Sequence, residues 1–527
     1  MVTESVRPSR RAVLALLLAF AGACAAPSEH VARPTAPVHI VVLHTNDMHG
    51  QVLPRKATWL DKDNPPLIGG LPRVAAFIAS VRAKEANSTT AVIAVDAGDW
   101  YQGTPEGVID RGLDCVSAIA AIGYDATCIG NHDWDHGVDN LQRLLKEAGP
   151  PAICCNVRIP TNGQRVSWVE PWRIVDACGL RIAFVGLLTP TTPSITHKDA
   201  GKFLFEDPVE AITHAKAELA GKYDLLIPVG HIGLDDGTRI AKAHPELALI
   251  VTGHSHTYLK EGQREGSVLL VQAGSKASAV GRVDLVFDPA TNQVRESKAK
   301  LVDLLEEPAA KDRNAKVDQI CARLEAQSSE ELKQVVGELT AAVRGGKGPF
   351  STIAGNWIAD MMRARTGADV AFHNRGGTRA EIEAGPVTRR QVFEILPFDN
   401  DVVTVTLTGA QLESCVRGSV EGTTHSGLDY SGLRAFVAVT VNGTKITLKL
   451  DHIEVGGTPL EADKKYRVAT NSFLAGGGDG FDELAKAPDR VEDPILLRDM
   501  AVEEFQRAGK ITPPSEARIV DLAAEKP

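Results

Sequence analysis

Nine short runs of Val- and Ile-rich sequence set the terms on which this chain can fold. They lie at His39–His44, Ala91–Val95, Ala126–Ile129, Ala152–Cys154, Ile182–Leu188, Leu225–Val229, Leu247–Val251, Val268–Val271 and Val283–Phe287. Few polar residues interrupt them, so each reads as a strand covered on both faces. Stretches with helical spacing lie between them, at Gly70–Lys84, Cys115–Ile122, Val138–Ala148 and Pro208–Leu219. Doubly covered strands separated by helices predict a layered α/β domain over residues 38–300.

Five of the runs end in residues that carry chemistry. The first ends in Asp47-Met48-His49, the second in Gly98-Asp99 and the third in Gly130-Asn131-His132-Asp133. The sixth ends in His231 and the seventh in Gly253-His254-Ser255-His256. A lone Asp after a strand caps a helix, and a lone His is usually a hydrogen-bonded structural residue. Five such endings at the carboxyl ends of strands mark the place where open α/β sheets build sites. Asp, Asn and His together suit divalent ions of the zinc, manganese or iron kind. The absence of Cys from these endings argues against a closed structural zinc site.

The chain has 527 residues, more than one core holds, and its 43% hydrophobic and 24% charged residues are those of a globular protein. With 57 Lys+Arg against 67 Asp+Glu its net charge is −10, which argues against a general nucleic-acid binder. Eight cysteines in this length do not make a disulfide scaffold. The first 25 residues read as an address. Arg7, Arg10 and Arg11 precede an apolar run, Ala12–Ala23. That run is shorter than the roughly 20 residues a membrane span needs. The segment reads as a secretory signal of twin-arginine type. Ala21-Gly22-Ala23-Cys24 resembles a lipoprotein box with Cys24 lipidated, and Ala23-Cys24-Ala25 offers an alternative cleavage site. The protein is therefore expected to be exported from a bacterial cell, periplasmic or lipid-anchored at the envelope. Cys24 is the only membrane contact expected.

Glu306–Leu339 is charged and has apolar residues at roughly helical intervals, predicting a linking helix or hinge over 306–340. A second domain is expected over 341–523. Trp357–Arg365 reads as helix, and Val402–Thr408, Arg434–Val441 and Lys445–Leu450 as strands, with Asn442-Gly443 as a hairpin turn.

The order D-x-H, G-D, G-N-H-D, H, G-H-x-H resembles the calcineurin-like metallophosphoesterases. Thr45-Asn46-Asp47-Met48-His49-Gly50 and Gly130–Gly137 resemble the wording of the 5′-nucleotidase family. The resemblance implies a metallophosphoesterase β-sandwich flanked by helices, a linking helix and a smaller α/β nucleotide-binding domain. It also implies two divalent metal ions (Zn, Mn, Fe or Co). Asp47, His49, Asp99 and His256 would hold one. Asp99, Asn131, His231 and His254 would hold the other, so that Asp99 bridges. The ligands bring two negative charges to four positive ones, and the net positive charge attracts phosphate even on an acidic protein. His132 would act on the transition state or leaving group with Asp135 as its partner. Asp133, where many relatives have Glu, is given no role, and Trp100 and Tyr101 are read as packing.

Asn374-Arg375-Gly376-Gly377-Thr378-Arg379, Pro397-Phe398-Asp399-Asn400 and Asn471–Phe481 resemble the family's substrate loops. By that resemblance Phe398 and Phe473 sandwich a nucleobase, Asp479 binds ribose hydroxyls and Arg379 approaches the phosphate or ribose end. Asn374 and Arg375 support them. A substrate-binding Arg that some relatives carry has no match around Gly348–Thr352, where Arg344 and Lys347 stand nearest. The expected function is removal of phosphate from nucleotides, extending to UDP-sugars or 2′,3′-cyclic nucleotides. A thiosulfohydrolase of the same fold and a catalytically inactive surface-binding module are the alternatives.

Overall fold

The computed structural model describes residues 33–523 apart from 58–59, 62–63, 347–348 and 444. The expected signal segment with Cys24, and Lys347, lie outside the described residues. Among the described residues no helix is long and apolar enough to cross a membrane, and all seven described cysteines are free thiols.

The first domain contains β1 (Val38–Thr45), α1 (Leu71–Glu85), β2 (Thr90–Asp96), α2 (Leu113–Ile122), β3 (Ala126–Cys128), α3 (Gly137–Glu147) and β4 (Ala152–Ile153). Then come β5 (Trp172–Ala177), β6 (Leu180–Leu188), α4 (Pro208–Glu218), β7 (Leu225–His231), α5 (Gly233–Ala243) and β8 (Leu249–Thr252). It closes with β9 (Gln263–Glu265), β10 (Val268–Val271), β11 (Ala279–Asp288) and β12 (Gln293–Asp303). Two six-stranded sheets result, in the orders β12-β11-β1-β2-β3-β4 and β9-β10-β8-β7-β6-β5.

Side-chain alternation along a strand sorts the layers. Ile40 and Val42 of β1 join Phe184, Val229 and Val251 in the core between the sheets. Val41 and Leu43 face outward, into a core with Val74 of α1, Ile119 of α2 and Leu141 of α3. On the far side Val185 and Ile250 pack with Ile212 of α4 and Ile240 of α5. The result is helix, sheet, sheet, helix, the expected flanked sandwich. Three edge strands, β5, β9 and β12, were not legible as apolar runs. Strand β12 is largely exposed and charged, and β5 is half-exposed; edges of this kind discourage pairing with other chains.

The expected single linking helix over 306–340 is corrected. Helix α6 covers only Ala315–Gln327 and packs Val317, Ile320 and Leu324 into the first domain's core. A short helix follows at Ser329–Lys333, and Val335–Leu339 is a strand, β13. Its residues Val336 and Leu339 belong to the second domain's core. A charged sequence with helical intervals misleads here because the apolar residues of 335–339 answer to a different sheet. The connection between the two cores shrinks to a few residues around Ser328–Gln334.

The second domain holds α7 (Ile353–Thr366), β14 (Val370–Asn374), α8 (Arg389–Ile395), β15 (Asp401–Thr408), α9 (Gly409–Glu421) and β16 (Leu428–Ser431). The hairpin β17 (Leu433–Asn442) and β18 (Lys445–Val455) follows, then β19 (Lys465–Asn471) and β20 (Val491–Leu496). A five-stranded sheet runs β16-β14-β19-β15-β20. Phe372 and Val405 face a core with α9, while Ala371 and Val402 face one with α7. The hairpin turns at Gly443, whose φ of 63° suits the tight turn.

The domains meet through a buried carboxylate. Glu106 of the first domain accepts from Ser328 Oγ (2.5 Å) and from both terminal nitrogens of Arg390 on α8. Burial works against its charge, but Arg390 and Ser328 outweigh burial and hold the carboxyl below its usual range. A carboxyl depressed in the folded state stabilises above its unfolded pKa of about 4.3, and that stabilisation is lost as pH falls through the folded value. Arg390→Met should therefore lower stability by about 2–4 kcal/mol at neutral pH by stranding a buried charge. The gap between variant and wild type should narrow in acid, as followed by urea denaturation at several pH values.

Candidate metal centre

The polar ends of β1, β2, β3, β7 and β8 converge at one rim of the sandwich. Backbone bonds zip the first two loops together: Asp47 N–H donates to Gly98 O (2.8 Å), His49 N–H to Asp99 O (2.9 Å) and Gly50 N–H to Trp100 O (2.9 Å). Five site residues carry the backbone strain of this convergence. Asp47, His49, Asp99, His254 and His256 have φ of 50°, 47°, 61°, 78° and 54°. Non-glycine residues enter this left-handed region at about 1–3 kcal/mol each, and such strain collects at functional sites. Gly130 is required next to them, because a Cβ there would run into the Asp99 carboxylate.

One donor set is plain. Ligand atoms of Asp47, His49, Asp99 and His256 all lie within 4.8 Å of one another. His256 Nε2 is 3.0 Å from Asp47 Oδ1, His49 Nε2 is 3.6 Å from Asp99 Oδ2, and the two Nε2 atoms face each other at 2.9 Å. His49 Nδ1 is tied to Gln102 O (2.8 Å), which leaves Nε2 for the centre. Asn46, absent from the expected ligands, aims Asp47: its Nδ2 donates to Asp47 Oδ2 (2.6 Å) while its Oδ1 accepts from Ala273 N–H (2.7 Å).

The remaining expected ligands flank Asp99. His231 Nδ1 pairs with Ala97 O (2.7 Å), and its Nε2 lies 3.1 Å from Asp99 Oδ2 outside hydrogen-bond geometry. The His254 ring is 5.1 Å from that of His231. Asn131 Oδ1 is buried with no hydrogen-bond partner. Orphaned buried polar atoms are rare and call for an explanation; these fit a cation beside the Asp99 carboxylate.

Electrostatics point the same way. Burial pushes His254 down to about 3, helped by His231, and burial with Arg379 pushes His49 well below its ordinary range. Both imidazoles therefore offer lone pairs. Burial opposes charge on His231 as well, yet Asp99 and Asp47 outweigh it and lift its pKa to about 10. Burial also opposes charge on the two carboxylates, and His256, His231 and their neighbours overcome it. The pocket favours positive charge.

His132 stands beside the donors without joining them. Its N–H donates to Asp99 Oδ1 (2.8 Å), and its Nδ1 meets Asp135 Oδ2 (2.8 Å). Asp135 Oδ1 accepts in turn from Thr196 Oγ1 (2.7 Å), a contact with no signal in the sequence. Asp133 accepts from the N–H groups of Trp100 (2.9 Å), Asp99 (3.2 Å) and Gly130 (2.8 Å), so it ties loops together. Trp100 and Tyr101 are fully buried, as packing requires.

Residues 40–258 match the calcineurin-like phosphoesterase family, and residues 334–486 match the 5′-nucleotidase C-terminal domain. A 5′-nucleotidase of Vibrio vulnificus is 27% identical, covering 94% of this chain and 95% of that protein. The crystal structure of a 5′-nucleotidase precursor from Thermus thermophilus superposes with a TM-score of 0.81 at 27% identity, over 93% of this chain and 100% of that one. Endonuclease YhcR of Bacillus subtilis is 28% identical over 86% of this chain, which spans only 39% of that protein. The chain thus carries a calcineurin-like phosphoesterase domain followed by a 5′-nucleotidase C-terminal domain. It is a metal-dependent phosphoric ester hydrolase of the calcineurin-like kind.

The second domain reaches the candidate metal centre. Arg379 places a guanidinium nitrogen 3.1 Å from His49 Nε2 and lies over the Phe398 ring (5.7 Å). Phe398 stacks on His132, with centroids 5.3 Å apart at 23°. Asn374 Nδ2 donates to Asp479 Oδ2 (2.9 Å), and Asn374 Oδ1 accepts from Asn471 Nδ2 (2.9 Å). Burial lifts Asp479 to about 6. Phe473 is half-buried against its own domain's core. Arg375 turns inward to Asp429 (3.4 Å) and the Leu428 carbonyl (3.1 Å), shaping the loop. Arg344 pairs with Glu381 (2.9 Å) and Glu383 (2.7 Å).

Asp99→Ala should cut bound metal and reduce hydrolysis by more than the roughly 10–100-fold typical of losing an outer partner. Asn46→Ala, which frees Asp47 and also removes the bonds to Ala273 N–H and Gly274 O, should weaken metal binding within that range of about 10–100-fold. Metal titration of each purified variant checks both.

Proposed function

We propose that the chain is an exported 5′-nucleotidase that holds two divalent ions and removes phosphate from nucleotides. The observation that carries this reading is the meeting of Arg379 and Phe398 with the donors and His132 at a single cleft. Asp47, His49, Asp99 and His256 would hold one ion, and Asp99, Asn131, His231 and His254 the other. Such ions supply Lewis acidity toward the phosphoryl oxygens and lower the pKa of water.

The chain's own residues do the rest. Asp135, braced by Thr196, fixes the His132 ring through Nδ1 and leaves Nε2 to act as proton donor or charge stabiliser for the leaving oxygen. Arg379 adds a fixed positive charge for the phosphate end. Phe398 and Phe473 take the two faces of the base, a contact worth about 1–3 kcal/mol and tolerant of base identity. Asp479, oriented by Asn374, accepts from ribose hydroxyls. Thiosulfonate chemistry on the same fold has no use for such an aromatic pair. Asn374 and Arg375 act as supports, the latter through Asp429.

Turnover on this reading includes a rotation between the domains, and the few residues around Ser328–Gln334 are where it would occur. They separate α6, packed in the first core, from β13, packed in the second. Export rests on residues 1–25, and mass analysis of the mature N-terminus distinguishes a lipidated Cys24 from cleavage beyond Ala25.

Purified protein loaded with Mn²⁺, Zn²⁺ or Co²⁺ should hydrolyse AMP; UDP-glucose and 2′,3′-cyclic nucleotides define its breadth. Phe473→Ala should raise KM for AMP about tenfold, the loss of one stacked base, and spare a simple aryl phosphate. Unchanged AMP kinetics in that variant would refute the base clamp. An engineered cross-link between the domains should stop turnover, and full activity in the locked protein would refute the rotation.

A further inference from the structure

Lys276 spans the two domains with bonds of its own. Its backbone N–H donates to the carbonyl of Asp47 (2.7 Å), and its Nζ donates to the carbonyl of Arg379 (2.9 Å). One residue thus links the backbone of a metal-site carboxylate to the backbone of the guanidinium residue facing it. The conformation that does this is strained: Lys276 and Ala277 have φ of 57° and 50°. The turn is held from outside, since a Cβ on Gly69 would come within 2.6 Å of the Ala277 carbonyl.

Charge alone disfavours a lysine here. Arg55 and Arg379 face its ammonium, with Glu394 of α8 as the opposing carboxylate. An apolar side chain would avoid both the repulsion and the burial of an ammonium. What the amine supplies is a fixed position for the Arg379 main chain. Arg379 has one other backbone anchor, its N–H on Ile395 O (3.0 Å), which lies within its own domain. General cohesion between the domains is already provided by Glu106 with Arg390 and by Gln102 Nε2 on Pro397 O (3.2 Å). With Arg344 occupied by Glu381 and Glu383, Arg379 is the second-domain guanidinium that reaches the donors among the described residues.

We propose that Lys276 is a positioning residue for Arg379: it fixes the Arg379 carbonyl relative to Asp47 and so sets where the guanidinium meets the phosphoryl group. This rests on the phosphohydrolase reading of the centre. Lys276 does not touch the substrate; it acts through Arg379.

Lys276→Met, Lys276→Arg, Arg379→Ala and the double variant Lys276→Met/Arg379→Ala are compared with wild type on AMP. Amide exchange across residues 374–380 is measured by mass spectrometry in the same full-length proteins. Lys276→Met should lower kcat roughly 10–100-fold, the scale expected from an ångström of misplacement. KM should move less than about threefold, because base and ribose contacts remain. Lys276→Arg should recover part of the loss. In the Arg379→Ala background Lys276→Met should change kcat less than about twofold, the sign of two residues acting as a unit. Exchange across 374–380 should quicken in Lys276→Met and not in Lys276→Arg. An equal loss in both backgrounds would make Lys276 a general closing contact and overturn the proposal, as would unchanged kcat with unchanged exchange. Quickened exchange in Lys276→Met of a protein inert toward every phosphoester would leave the positioning standing and count against the phosphohydrolase reading.

Discussion

Two carboxylates buried at the mouth of a sandwich, Asp47 and Asp99, set the constraint that the surrounding structure answers. Both are essentially inaccessible to water. Buried charge is costly unless it is paired, and the nearest positive partners are imidazoles plus one guanidinium from the other domain. Beside them His49 and His254, kept uncharged by burial, offer lone pairs, so the centre is a receptor for cations. The backbone is bent to build it, with five donors in left-handed conformations and a glycine at 130 where a Cβ would strike Asp99. The groups behind the donors follow the same logic: Asn46, Gln102 and Ala97 each use one hydrogen bond to aim a donor atom inward.

That demand for positive charge also explains how the domains meet. The first domain presents a cluster of donors with His132 at its edge. The second presents Arg379 and Phe398 to it. The named contacts are largely polar. Among them are the Glu106–Arg390 ion pair, whose attraction weakens once water reaches it, and the bond from the Lys276 ammonium to the Arg379 carbonyl. The connection between the domains is short because both flanking elements are committed to cores, α6 to one and β13 to the other.

Much of this was legible in the linear order of residues. Runs such as His39–His44 and Leu225–Val229 are apolar throughout because both strand faces are covered, so the α/β layering could be read from them. The edge strands β5, β9 and β12 could not, because a strand with one open side carries the mixed composition of a loop. The stretch 306–340 misled for a related reason: helical intervals in Ala315–Gln327 continue into Val335–Leu339, whose apolar residues serve a sheet formed with distant strands. At the centre, the residue types after the strands pointed to Asp47, His49, Asp99 and His256, whose ligand atoms the fold brings together. The roles of Thr196 and Lys276 were invisible, because each acts through a side-chain hydrogen bond to a residue far away in sequence.

The sequence by itself determined the chemistry available: which strands exist, which loops carry donors, and which aromatic and charged residues the second domain can offer. Those are local properties, written in periodicity and side-chain type. Only the tertiary structure decided distances. It placed His49 and His256 nitrogen to nitrogen, left the Asn131 side-chain oxygen without a partner, turned Arg375 and Arg344 away and brought Arg379 in. Such choices depend on how sheets twist and domains abut, and these are set by packing summed over the whole of two domains, which no local pattern records.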